Sequence, residues 1–239
     1  MSRNNGTLLT VIVPAYNEQA TIGTVIGQLR SFLAPSGPIG EIVVVNDAST
    51  DLTGAVLAPL AEKGDIRLVT HPLNRGKGAA VRSGIAAATG DWILFQDADL
   101  EYDPADIPAL MAAARGGADI VYGSRFIAGN DGATFLHIAA NKSLSFFSRL
   151  LTGLPITDME TCYKLIRADL LKSLDLHEER FGIEPEITLK LARLAKRDGL
   201  RYAEVPISYK PRSYAEGKKV GLKDGLRALY CLARYRWGG

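Results

Sequence analysis

The sequence predicts an α/β protein built on a mostly parallel central sheet flanked by helices, and three observations carry that prediction. Short β-branched or aromatic runs alternate with helix-like stretches through the first 125 residues. The runs are continuously apolar, as in "IVVV" from Ile42 to Val45, which suits strands covered by helices on both faces. Polar clusters follow the runs at their carboxyl ends, where open α/β sheets bind ligands.

The first run, Leu8–Pro14, leads into a helix-like stretch at Thr21–Phe32. Glu41–Val45 is followed by Leu52–Ala61, Arg67–Val69 by Ala79–Ala88, and Trp92–Phe95 by Pro104–Ala114, with Asp119–Tyr122 closing the series. Strands alternating with helices of this length form βαβ units, joined by right-handed connections. Asp51 and Asp103 precede two of the helices and predict N-caps, Asp103 with Pro104 at the favoured first helical position. Beyond Arg125 the pattern changes to a Gly/Asn/Asp-rich loop at Ile127–Thr134. Next comes "NKSLSFFSRLLTG", in which Leu144, Phe147, Leu150 and Leu151 recur at helical spacing. That stripe predicts a core-facing helix, and its place beside a basic C-terminal segment also suits an interfacial one. A helix over Glu184–Arg197, a strand in "YAEVPI" and a helix over Leu222–Tyr235 follow, the last two joined through the polar stretch "YKPRSYAEGKKVG", expected to be mobile. No internal repeat is present, so a single domain over residues 1–239 is expected.

Composition narrows the function classes. Of 239 residues 47% are hydrophobic and 23% charged, the profile of an ordinary soluble globular protein. The net charge of +2 gives no reason to expect nucleic acid as a partner. Residues 209–239, however, hold eight Lys or Arg against Glu216 and Asp224, a local balance of +6. Such a segment favours phosphates, nucleotides or an anionic membrane surface. Cys162 and Cys231 are the only cysteines, too few for a disulfide framework or a cysteine-rich metal site. No apolar stretch approaches the 18 residues of a membrane span and no signal peptide is legible. A cytoplasmic location is expected, with membrane contact limited to a peripheral one at the inner face.

The chemistry concentrates in four clusters: Pro14-Ala15-Tyr16-Asn17-Glu18, Asn46-Asp47-Ala48-Ser49-Thr50-Asp51, Asp97-Ala98-Asp99 and Gly123-Ser124-Arg125. In "FQDADLEYD", Asp97, Asp99, Glu101 and Asp103 put four acidic groups into nine positions. Crowded carboxylates repel, and their charge is offset by a divalent cation, by basic residues or by solvent. Carboxylate oxygens suit Mg2+ or Mn2+, which bind one or two carboxylates and complete their shell with substrate phosphates. "HPLNRGKGAAVRSG" adds Arg75, Lys77 and Arg82 around Gly76 and Gly78 ahead of an Ala-rich helix, a setting that accepts anions. The P-loop spacing is absent, and no G-x-G-x-x-G follows the first strand, which counts against a nicotinamide dehydrogenase. His71, His137 and His177 show no metal-ligand spacing.

The motifs "VIVPAYNE", "IVVVNDASTD", "NRGKGAA", "DADLEY" and "YGSRF", in that order, together resemble the family-2 glycosyltransferases of GT-A fold, and within them the polyprenyl-phosphate branch. The resemblance is strongest over about residues 8–126, and "TDMETCYKLIR", "FGIEPEIT" and "VPISYKPRSYAEGKK" extend it to about residue 220. It implies a nucleotide-sugar-binding half at 1–126, an acceptor-binding half at 127–239, and a divalent metal, Mg2+ or Mn2+. It also implies inverting transfer of a hexose from a GDP-mannose or UDP-sugar donor to a lipid phosphate. Carried over by motif, Pro14, Tyr16, Glu18 and Lys77 line the donor pocket and Asp47 contacts the base. Asp97 supports the donor and metal, Asp99 ligates the metal and Glu101 is a third ligand. Arg125, with Lys218 and Lys219, holds the acceptor phosphate. The sequence departs from the family at Asn46, where Asp is commoner. An alternative reading gives the enzyme a hydroxyl acceptor with Glu184 or Glu186 as general base. A sugar-nucleotide nucleotidyltransferase, which also uses an α/β sheet and Asp-bound Mg2+, would show a basic glycine-rich signature after the first strand, where this chain has "VPAYNE".

Overall fold

Seven strands form one sheet in the order β3-β2-β1-β4-β6-β5-β7, seen in a computed structural model that describes residues 8–34, 37–127, 135–212 and 221–236. The strands are β1 (Leu9–Ala15), β2 (Ile39–Asn46), β3 (Arg67–Thr70), β4 (Trp92–Phe95), β5 (Ile120–Ser124), β6 (Lys164–Arg167) and β7 (Tyr202–Pro206). The helices are α1 (Ile22–Arg30), α2 (Thr53–Glu62), α3 (Lys77–Ala87), α4 (Ile107–Arg115), α5 (Phe135–Thr152), α6 (Ala168–Lys172), α7 (Ile183–Asp198) and α8 (Leu222–Arg236). Most of the loop expected at Ile127–Thr134 lies outside the described residues, as do Lys218 and Lys219.

The β1–β2, β2–β3 and β1–β4 pairs are parallel, as is β5–β7. β6 runs antiparallel to both β4 and β5. Its insertion makes the sheet mostly rather than wholly parallel. Residues Val11 to Val13 and Val43 to Val45 are all fully buried, as continuous apolar runs require. Gly84 lets α3 lie directly on β1, since a Cβ there would sit 2.3 Å from Ile12 Cγ2.

The short strand β6 has no counterpart among the expected elements. Lys164 lies in it with no exposed surface, and a lysine inside a four-residue run reads as a loop. Its ammonium donates to Glu184 Oε2 at 2.6 Å and to the carbonyl oxygens of Met159 and Thr161, so the buried charge is fully partnered. The stripe on α5 is also divided. Leu144 is buried against α8, with Ala228, Cys231 and Leu232, whereas Phe147 and Leu150 face solvent. The core-facing expectation holds for one edge of that helix only. Asp103 caps as its position predicts, accepting from the Ala105 N–H at 2.9 Å. Asp51 accepts from the Thr53 N–H at the start of α2.

Candidate active site

The carboxyl ends of β1, β2 and β4 each turn through a non-glycine residue with left-handed backbone: Asn17 (φ 50°), Ala48 (φ 56°) and Leu100 (φ 62°). Asn tolerates that region, whereas Ala and Leu pay roughly 1–2 kcal/mol for it. Strain of this kind gathers at functional sites. The first two turns are cross-linked: the Asn17 N–H donates to Ser49 Oγ, and the Thr50 N–H donates to Asn17 Oδ1. The Glu18 N–H donates to Thr53 Oγ1 at 2.9 Å. Pro14 is half-buried in β1 opposite Val45, and Tyr16 is half-buried in the turn beyond it.

The acidic turn after β4 is offset by protein cations. Lys77 Nζ lies 2.8 Å from Asp97 Oδ1 and 3.4 Å from Glu184 Oε1. Burial works against the Lys77 charge, but Asp97 and Glu184 outweigh it and hold the ammonium well above its ordinary range. Burial likewise opposes ionisation of Asp97, and Lys77 overcomes it, so the Asp97 pKa is lowered. Arg212, brought in by the segment after β7, bonds Glu18 Oε2 at 3.1 Å and Asp99 Oδ2 at 2.9 Å. Asp99 still feels its neighbours: burial first, then the charges of Asp97 and Glu101, push its carboxyl up to about 7.

That repulsion is the test of whether the site fits a divalent cation. Two carboxylates close enough that the charge on Asp97 raises the pKa of Asp99 match what Mg2+ or Mn2+ takes from protein when phosphates complete the shell. Among the described residues, the buried Nε of Arg212 has no hydrogen-bond partner. Asp97 and Asp99 fit the metal. Glu101 has partners of its own: its carboxylate accepts from the Tyr209 hydroxyl at 3.0 Å and the Arg212 N–H at 2.7 Å. It is committed to docking residues 209–212 across the end of β4, and no complete three-ligand group occurs among the described residues.

Other expected site residues are placed differently. Asp47, expected at the base, is 2% exposed and faces inward. It accepts from the N–H groups of Arg75 and Gly76 at 2.9 and 2.7 Å. His71 Nδ1 lies 2.6 Å from Asp47 Oδ1, and His71 Nε2 lies 2.8 Å from Ser83 Oγ. Asp47 thus builds the loop that presents Lys77. The start of α3, expected to accept an anion, is also occupied: the Ala79 N–H donates to Glu179 O at 3.1 Å. Gly76 and Gly78 serve close packing, because Cβ atoms there would lie 2.5 Å from Glu179 O and 2.3 Å from Glu178 O.

Arg125, expected to hold the acceptor phosphate, makes two bonds to Asp158, at 2.6 and 2.7 Å. Its guanidinium stacks over Tyr209 at 4.9 Å. Burial demands such a partner. The two candidate bases are engaged as well. Both oxygens of Glu184 face lysines, Lys164 and Lys77. Glu186 has no exposed surface and accepts from the N–H groups of His177 and Glu178 and from Lys190. Sequence reasoning missed Arg212 and Lys164. Arg212 lies 194 positions from Glu18, a separation no local pattern reveals. Lys164 sits in the stretch "TDMETCYKLIR", which extends the family resemblance but shows no partner for a buried charge.

The sheet order and the acidic, metal-compatible turn at the end of β4 define a GT-A-type glycosyltransferase fold. The chain belongs to glycosyl transferase family 2, whose family model matches residues 10–175. It is 31% identical to an undecaprenyl-phosphate mannosyltransferase of Micrococcus luteus, over 95% of this chain and 92% of that protein. It is 29% identical to a dolichol-phosphate mannosyltransferase of Pyrococcus furiosus over 95% of this chain, which spans 64% of that longer protein. Among solved structures, glucosyl-3-phosphoglycerate synthase from Mycobacterium tuberculosis with Mn2+, UDP and glucosyl-3-phosphoglycerate superposes with a TM-score of 0.73. That match covers 97% of this chain and 81% of the other at 20% identity, a likeness of fold. The same synthase with Mg2+ and UDP gives 0.72. The chain is therefore a glycosyltransferase related to polyprenyl-phosphate sugar transferases.

Proposed function

We propose that this enzyme moves a hexose from a nucleotide-diphosphate sugar, GDP-mannose or a UDP-sugar, to a polyprenyl-phosphate acceptor, with inversion at the anomeric carbon and with Mg2+ or Mn2+. The observation that carries this reading is the cluster at the end of β4, where Asp97 and Asp99 face Lys77 and Arg212. A metal–diphosphate complex would substitute for those protein cations. The cation, held by Asp97 and Asp99, would stabilise charge developing on the departing nucleotide diphosphate. Lys77, fixed by Asp97, adds positive charge to the same place. Pro14, Tyr16 and Glu18 line the nucleotide side at the end of β1.

An acceptor phosphate is already ionised and needs no strong base. The oxygens of Glu184 and Glu186 are engaged with lysines and backbone N–H groups, which suits an acceptor that needs no general base. The names of the curated relatives, undecaprenyl-phosphate and dolichol-phosphate mannosyltransferases, support the same class. Lys218 and Lys219 supply the acceptor's counter-charge, joined by Arg125 if it exchanges Asp158 for the phosphate.

The enzyme meets its lipid at the membrane face, on the cytoplasmic side. No helix among the described residues is long and apolar enough to cross a membrane. Instead Phe146, Phe147 and Leu150 on α5 and Leu226, Leu229 and Tyr230 on α8 are exposed, near the basic residues of α8. Amphipathic helices of this kind lie in a bilayer interface. A panel of GDP- and UDP-hexoses, each supplied with Mn2+ and undecaprenyl phosphate, tests the reading by mass spectrometry of the lipid product. One donor should give a lipid-linked monophosphohexose, and Lys218→Ala with Lys219→Ala should raise the acceptor KM. Transfer confined to hydroxyl acceptors would refute it.

A further inference from the structure

The sheet order fixes how a donor lies across the site. The turns after β1 and β2 are neighbours, Asp97 and Asp99 follow at β4, and beyond them lie β6 and β5 with residues 158–164 and Arg125. A donor with its nucleotide at β1 and its diphosphate at Asp97 and Lys77 therefore carries its sugar over the 158–164 side. In that stretch most charged groups are saturated. Asp158 takes both arms of Arg125, and Lys164 spends its protons on Glu184 and two carbonyl oxygens. Glu160 is the exception: its Oε1 is shut off from solvent and, among the described residues, has no hydrogen-bond partner.

The surroundings of Glu160 select the kind of ligand that would complete it. Lys164 and Arg125 act on it from one sign and Glu184 and Asp158 from the other, so the place carries little net charge. A phosphate would meet three acidic side chains there. A sugar hydroxyl would not be repelled, and it both donates and accepts. Burial first, then Glu184 and Asp158, push the Glu160 carboxyl up to about 7, so the group serves a hydroxyl in either role.

We infer that Glu160 anchors a subsite for the hydroxyl groups of the transferred sugar and so helps to set which hexose is accepted. The inference rests on the donor class proposed above. Calorimetry on the full chain with Mn2+ tests it, using GDP-mannose and UDP-glucose beside GDP and UDP. Glu160→Gln should leave the Kd of the preferred nucleoside diphosphate within about twofold and weaken its sugar nucleotide about tenfold, the scale of one charge-assisted hydrogen bond. Glu160→Ala should widen that gap, and Glu160→Asp should partly close it. Equal weakening of both ligands would make Glu160 structural and overturn the inference. So would unchanged sugar-nucleotide binding, including the case in which only the acceptor KM moves. If the unaltered enzyme binds neither sugar nucleotide, the donor assignment itself falls. If it binds one and the variants match it, only the subsite falls.

Discussion

Two carboxylates show how a residue's surroundings decide its work. Asp47 is saturated, holding two N–H groups and His71. Asp47→Ala should cost roughly 3 kcal/mol, because buried donors are left unmatched, and a denaturant midpoint measured without ligand checks it. Glu160 is unsaturated, with its pKa raised to about 7 from an ordinary 4.5. Between those values the folded state keeps a proton that the unfolded chain has released. Its contribution to stability therefore falls as pH rises from about 4.5 to about 7 and is level above. Glu160→Gln should remove that slope: the variant should gain on the unaltered enzyme between pH 5 and 7 in urea titrations and show no relative gain with pH below about 4.5.

At the scale of elements, β6 is the most exposed to a single change. Lys164 bridges β6 to the start of α7 through Glu184. Removing one member of a buried pair typically costs about 3–5 kcal/mol, so Lys164→Ala should lower the unfolding free energy read from urea titration by an amount in that range. The parallel strands were legible from sequence because apolar β-branched runs bounded by polar turns have few other readings, and the helix starts at Asp51 and Asp103 followed from local hydrogen bonding. β6 was not legible, since its lysine is stabilised only by partners from other elements. The acidic turn at Asp97 and Asp99 was visible in the same way as the strands. What offsets it was hidden, because Arg212 reaches Asp99 across 113 positions. The glycines at 76 and 78 looked like an anion cradle, yet their small size serves contact with Glu178 and Glu179, which sequence spacing does not display.

At the scale of the whole molecule, the acidic turns and the exposed apolar side chains fall on separate elements. The acidic cleft lies at the carboxyl end of the sheet, whereas the exposed apolar side chains belong to α5 and α8, which pack on one another through Leu144, Ala228 and Leu232. Replacing Phe146 and Leu226 with Asp should cut co-sedimentation with anionic vesicles by about tenfold or more, given an interfacial cost of this order for charge on the apolar face. Binding of nucleoside diphosphate should be unchanged. The most direct measurement for the account as a whole is Mn2+-dependent formation of lipid-linked hexose from undecaprenyl phosphate, compared between the unaltered enzyme and Asp99→Asn. The account predicts product that requires Mn2+ in the former and none in the latter, with both proteins folded to the same temperature within a few degrees. Equal, metal-independent product from Asp99→Asn would contradict it.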